Sequence, residues 1–256
     1  MVLAAKSALA PAALYPVLRA FEERAELIEI LESKLKAAGY GVEGTKPARP
    51  ALVLIGFNKR HLEGPDAVSG ASEAMNRAAV LARHCRARGL PVIHVTGATR
   101  PDGWDRPQED GVAAGADPVG DNALVTTMRP EPRDIVIRRQ APSAFFDSDL
   151  MSFLNLLGAD GLILAGGQTA GAVRATAIDA FSLNLRVVIA DDACFDPWQA
   201  SHAIALCDLD AKYADPTPVD ALLPWIDALP EDAFSLPAGA RDKRPPLMPA
   251  TEGTER

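Results

Sequence analysis

LILAGGQTAGAVRATAIDAFSLNLRVVIADDA, residues 162–193, decides the fold. Its first four residues are a short apolar run that stops at Gly166 and Gly167, and residues 169–181 place Val173, Ala177 and Ala180 on one side at helical spacing. Residues 187–190, VVIA, are apolar throughout, as a strand covered on both faces must be, and they close on Asp191 and Asp192. Strand, glycine turn, helix, strand is a βαβ unit, and such units build parallel sheets with helices on their faces. The glycine turn delivers the chain to a helix N-terminus, whose free N–H groups and positive dipole end suit an oxyanion or a small anionic group.

Outward from this centre the same alternation recurs. Residues 51–57, ALVLIGF, form a continuous apolar run expected to be the first core strand. A helical pattern over 71–88 ends at Gly89, and 91–96, PVIHVT, is the next strand. Residues 97–133 are rich in Pro, Gly and Asp without periodicity; so long a loop is a functional cover or an insertion. Then come a short strand at 135–137, a helix at 197–213 and a last helix at 219–229. The expected architecture is α/β, a doubly wound, mostly parallel sheet.

Two flanking segments differ. Residues 16–38 carry Val17, Phe21, Ile28, Leu31 and Leu35 at three- and four-residue steps, which predicts a long amphipathic helix. That helix either packs on its own domain or covers a partner. Residues 230–256 combine Pro, Gly and mixed charge with little apolar content and read as a flexible tail. The expected division is therefore 1–48 helix and linker, 49–229 core domain, 230–256 tail.

The 256 residues carry a formal net charge of −8, which gives nucleic acid or an anionic membrane no electrostatic attraction. Cys85, Cys194 and Cys207 form no even framework and no C-x-x-C pair. With no apolar run of about 18 residues, the expected location is cytoplasmic.

The spelling adds chemistry. Gly166, Thr169, Val173, Thr176, Ala177, Asp179 and Ala180 in the central stretch, and R-Q-x-x-S-A-F-F-x-S-x-L from Arg139 to Leu150, resemble motifs of the isochorismatase-like cysteine hydrolases. The helix containing His202, Leu206, Asp208, Asp210 and Tyr213 is similar to that of the N-carbamoylsarcosine amidohydrolase branch. The resemblance spans about residues 51–229 and implies an aspartate after the first strand, a lysine and a nucleophilic cysteine. In such an enzyme the aspartate takes the thiol proton, the thiolate attacks, and backbone N–H groups at the glycine turn hold the oxyanion.

All three side chains are replaced. The aspartate position falls on Gly56, the lysine position on Arg139 and the cysteine position on Ala172. Arg139 keeps positive charge but does not give up a proton near neutral pH. Losing one member of a nucleophilic triad costs roughly 10⁴ to 10⁶ in kcat, after which the others contribute little. The resemblance also implies that the amides of Gln168, after a non-proline cis peptide, and Ala172 form the oxyanion hole. Beside it Arg139 and Asn58 are candidates to bind a carboxylate or amide, or else Arg139 simply fills the vacancy left by the aspartate and the cysteine.

Cys194, just past the strand end, is the possible substitute nucleophile, with Asp191 or Asp192 as its base. The D-x-H metal motif of nicotinamidases is missing, so no metal and no cofactor is expected, and His61, His84, His94 and His202 are each expected to be structural or at the surface. The leading expectation is a catalytically degenerate member, a non-catalytic structural or regulatory subunit that forms a homo-oligomer or joins an active enzyme subunit. The alternatives are an amidohydrolase with relocated groups and a sensor of a small carboxylate or amide.

Overall fold

The computed structural model describes residues 26–41, 44, 46–63, 67–97, 122–231 and 233–234. Six strands form one sheet, β1 (Pro50–Ile55), β2 (Val92–Gly97), β3 (Ile135–Arg139), β4 (Gly161–Gly167), β5 (Arg186–Phe195) and β6 (Asp215–Pro216), in the order β3-β2-β1-β4-β5-β6. Every pairing between them is parallel. β1 and β4 are buried along their whole length, which is why both read as unbroken apolar runs.

Alternate side chains of each strand serve opposite faces. Leu52, Leu54, Ile163, Ala165, Val188 and Ala190 pack with the helices α3 (Ala71–Ala87) and α7 (Val219–Asp227). Val53, Ile55, Leu162, Leu164, Val187 and Ile189 pack with α4 (Leu150–Leu157) and α5 (Arg174–Ser182), and α6 (Gln199–Lys212) adds Leu209. Alanines dominate the inward stripe of α3 (Ala71, Ala74, Ala78, Ala82), so its backbone lies close to the sheet.

The sequence reading places β1 to β4 within a residue or two, stops β5 short, and misses β6 and α4. LMSFLNLL makes only two turns, with Ser152, Asn155 and the 82% exposed Leu156 outward and Leu150 and Leu154 buried, too short a stretch for its periodicity to stand out. The available signal was Gly158, which ends the helix in the left-handed conformation at φ +66. The strand expected to close at Asp191 continues to Phe195.

The N-terminal helix is present as α1 (Glu26–Ala37), and its part before residue 26 lies outside the described residues, as do most of the 97–133 loop and of the tail. α1 packs on α6, and Gly41 N–H donates to Ala211 O at 3.3 Å, so it covers its own domain. None of its described side chains is fully buried, and Ile30 stays 48% exposed. Among the described residues no helix is long and apolar enough to cross a membrane.

Candidate functional site

In a doubly wound sheet the strand order reverses once, and the crevice at the carboxyl ends of the two strands flanking that point receives ligands. Here those strands are β1 and β4. A cleft of 280 Å³ opens there, lined by Gly56, Asn58, Arg60 and His61 beyond β1, Arg139 at the end of β3, and Gly167, Gln168, Gly171 and Ala172 beyond β4. Gly56, Asn58, Arg139, Gln168 and Ala172, each singled out from sequence, are thus brought together.

The β4 side is built by backbone. Gly166 has φ +118, and a Cβ there would stand 1.9 Å from Ile55 O, so no other residue fits. The Gly167–Gln168 peptide is cis. One π-helical turn, Thr169–Val173, follows before α5. Buried polar bonds fix this turn: Thr169 Oγ1 donates to Phe195 O at 3.0 Å, Ala170 N–H donates to Asp196 Oδ2 at 2.9 Å, and Thr176 Oγ1 donates to Ala172 O at 2.8 Å. Thr176 Oγ1 also accepts from Ala144 N–H at 3.0 Å, tying the loop after β3 to the helix that carries Ala172.

The opposite side is built by side chains. Gly56 has φ +69, and a Cβ on it would lie 2.6 Å from Gly167 O. Its carbonyl accepts from His61 Nδ1 at 2.8 Å. The His61 ring stands edge-on to Phe195 at 5.6 Å, and Phe195 in turn packs on Phe57 at 5.7 Å. Burial lowers the His61 pKa from its ordinary value; the bond to Gly56 works against this, and the charges of Arg60 and Arg139 reinforce it. Arg139 Nη1 donates to Ala141 O. Asn58 is 4% exposed; its Nδ2 donates to Asn122 Oδ1 at 3.5 Å, and its Oδ1 has no partner among the described residues. Among the described residues the cleft is lined by two arginines and no carboxylate.

His61 lines the cleft, a placement not singled out from sequence: histidines were weighed there only for a D-x-H motif, whereas the short helix α2 (Lys59–Leu62) turns the chain just after β1 and presents this one to the cleft. The other three lie away from the cleft. His94 is fully buried with Nε2 3.0 Å from Asp134 Oδ2, His84 pairs with Asp227 at 3.0 Å, and His202 Nδ1 lies 2.8 Å from Thr169 Oγ1.

Cys194 is not brought to the cleft. It lies on β5 beside a separate cavity of 310 Å³ with Glu73, Arg77, Asp191, Asp192 and His202, and burial pushes its thiol up to about 12. Asp192 is engaged elsewhere: it accepts from Arg77 Nε at 2.7 Å and caps α7 through Val219 N–H at 2.9 Å. Among the described residues no group of three or more His, Cys, Asp or Glu side chains is placed to hold a metal.

A parallel doubly wound sheet with a polar cleft at its switch point and a glycine-built helix entry defines an α/β protein that can hold a small ligand at the carboxyl edge of its sheet. The isochorismatase domain model matches residues 50–221, and the chain belongs to that family. It is 31% identical over 181 residues to the maleamate amidohydrolase of Pseudomonas putida, covering 65% of this chain and 82% of that one. It is 31% identical over 116 residues to the N-carbamoylsarcosine amidase of an Arthrobacter species, covering 45% and 44%. Among solved structures, an isochorismatase family protein from Desulfovibrio vulgaris superposes with a TM-score of 0.65 at 27% identity, covering 70% of this chain and 98% of that one. The N-carbamoylsarcosine amidase of Thermoplasma acidophilum does so with a TM-score of 0.59 at 25% identity, covering 67% and 97%.

Proposed function

We propose that this chain binds a small carboxylate or amide in the switch-point cleft without cleaving it, as a catalytically degenerate family member and a non-catalytic structural or regulatory subunit. One observation carries the reading. At Gly56, where the resemblance calls for the proton-accepting aspartate, the backbone lies at φ +69 with Gly167 O only 2.6 Å from any Cβ. The loop is built around a glycine, so the loss is accommodated by the surrounding backbone rather than confined to one side chain. Ala172 lacks a nucleophile on the facing side, while Arg139 and Arg60 supply the charge that a carboxylate seeks.

The rival reading, C–N bond hydrolysis with relocated groups, draws on the names of the amidohydrolase relatives. Its candidate nucleophile, Cys194, has a thiol pKa of about 12 and stands beside a different cavity. At pH 7 roughly one such thiol in 10⁵ is ionised, too few to drive attack.

Assembly with a second copy or with an active subunit is supported by exposed apolar side chains away from the cleft. Tyr40 and Phe181, each 49% exposed, rim a 490 Å³ hollow formed by the chain after α1, β5 and the end of α6. That hollow is larger than the cleft but lies at the opening of β5, away from the switch point.

Calorimetry with succinamate, a small carboxylate bearing a primary amide, tests the binding claim. Wild type is expected to bind, and Arg139→Ala to bind about tenfold more weakly. Ammonia release above the buffer rate would overturn the non-catalytic reading. Native mass spectrometry of the gently purified protein tests the assembly claim, which a strictly monomeric species would contradict.

A further inference from the structure

His61 and Asn58 both line the cleft; Asn58 was expected there as a ligand-binding group, and His61 was not. A carbonyl oxygen only accepts, so the 2.8 Å contact between His61 Nδ1 and Gly56 O requires the proton on Nδ1. Nε2 then carries the free lone pair. No bond from a described residue reaches it, and the edge-on packing on Phe195 holds the ring in place. Asn58 supplies a second acceptor, since its buried Oδ1 lacks a partner among the described residues while its Nδ2 is turned to Asn122. An unpartnered buried carbonyl oxygen is costly unless something donates to it.

The chemistry around these acceptors is cationic: Arg60 on α2 and Arg139 at the end of β3 also line the cleft. A ligand that satisfies the whole lining therefore carries a carboxylate for the arginines and an NH₂ group with two N–H donors for the two acceptors.

We infer that His61 is the specificity-determining residue of this cleft, its Nε2 accepting one N–H of a ligand's primary amide while Asn58 Oδ1 accepts the other. This rests on the reading that the cleft binds small carboxylates, and it adds which carboxylates are chosen. The selectivity arises because a ligand of the same shape without donors leaves both acceptors buried and unpaired.

The test compares succinamate with levulinate, in which a methyl group replaces the amide NH₂. By calorimetry at pH 8, wild type is expected to bind succinamate about tenfold more tightly than levulinate. His61→Phe is expected to bring that ratio close to one through loss of succinamate affinity, with levulinate affinity unchanged within about twofold. In parallel, long-range ¹⁵N–¹H spectra of the wild-type protein are expected to show His61 protonated on Nδ1 and bare on Nε2, with the Nε2 resonance moving on addition of succinamate and not of levulinate. Equal affinity of wild type for the two probes, or a ratio kept in His61→Phe, overturns the role of His61 while leaving the carboxylate site standing. The opposite tautomer overturns it without reference to any variant. If wild type binds neither probe, the carboxylate site itself is refuted and the inference falls with it.

Discussion

The two sides of the cleft are held by different means. On the β4 side the shape is set by backbone: Gly166 at φ +118, the cis peptide after Gly167 and a π-helical turn anchored by Thr169 and Thr176. On the β1 and β3 side it is set by side chains, with His61 against Gly56, Asn58 against Asn122, and Arg139 at the strand end. Backbone donors do not depend on which residue stands at a position, whereas side-chain chemistry is lost in one substitution. A family fold can therefore keep its anion-holding turn while the groups that perform the reaction are exchanged.

The contrast predicts its own strongest test. Gly166→Ala is expected to destabilise the protein most, by about 4 kcal/mol or more, because the added Cβ meets Ile55 backbone at 1.9 Å and φ +118 is foreign to alanine. Denaturant unfolding measures it, and a loss under about 1 kcal/mol would mean that this turn is not rigid. Gly56→Asp comes next, with a cost of about 2 to 4 kcal/mol from φ +69 and the 2.6 Å approach to Gly167 O. The triple change Gly56→Asp, Arg139→Lys, Ala172→Cys is accordingly expected to lose stability rather than to regain hydrolysis.

Thr176→Val ranks third. Its hydroxyl bridges Ala172 O and Ala144 N–H in a fully buried position, so its removal strands both groups, at about 1 to 3 kcal/mol. This is the one sharp probe of whether the two sides are coupled. If Thr176→Val also weakens succinamate binding, the loop after β3 depends on the α5 turn for its position. If only stability falls, the two sides act independently.

The smallest effect is the pH dependence. Burial lowers the pKa of His61, His94 and His202 below the ordinary 6.5, so each is neutral when folded and more basic when unfolded. Their contribution to stability is present above pH 6.5 and is lost as pH falls toward the folded values. Asp134 adds loss in more acidic solution. Burial alone would raise its pKa, but hydrogen bonds from Arg86, the Glu131 backbone and His94 together hold it below the carboxylate range. The urea midpoint is expected to hold between pH 8 and pH 6.5 and to decline from there toward pH 5, and a profile flat over the whole range would contradict the buried neutral histidines.

What the sequence makes legible divides along the same line. Apolar runs and glycine turns fixed β1, β4 and the helix entry, because buried strands and positive-φ positions each demand a narrow set of residues. Gly56, Arg139 and Ala172 were singled out because neighbouring motifs point to their positions, and the structure brings all three to the cleft. His61 was not, since its place depends on the single turn of α2, four residues with no periodic signature. α4 was hidden by its length, two turns with only Ser152 and Asn155 polar. Cys194 seemed near the site because it lies past the expected strand end, but β5 carries it on within the sheet to Phe195.

If the cleft holds a small amide-bearing carboxylate and leaves it intact, saturation-transfer NMR on succinamate incubated for a day with wild-type protein shows it most directly. Transfer to the succinamate protons is expected, reduced in Arg139→Ala, with the succinamate signal undiminished. Growth of a succinate signal above that of a buffer control would contradict it and make this chain a hydrolase by a route other than the family's cysteine.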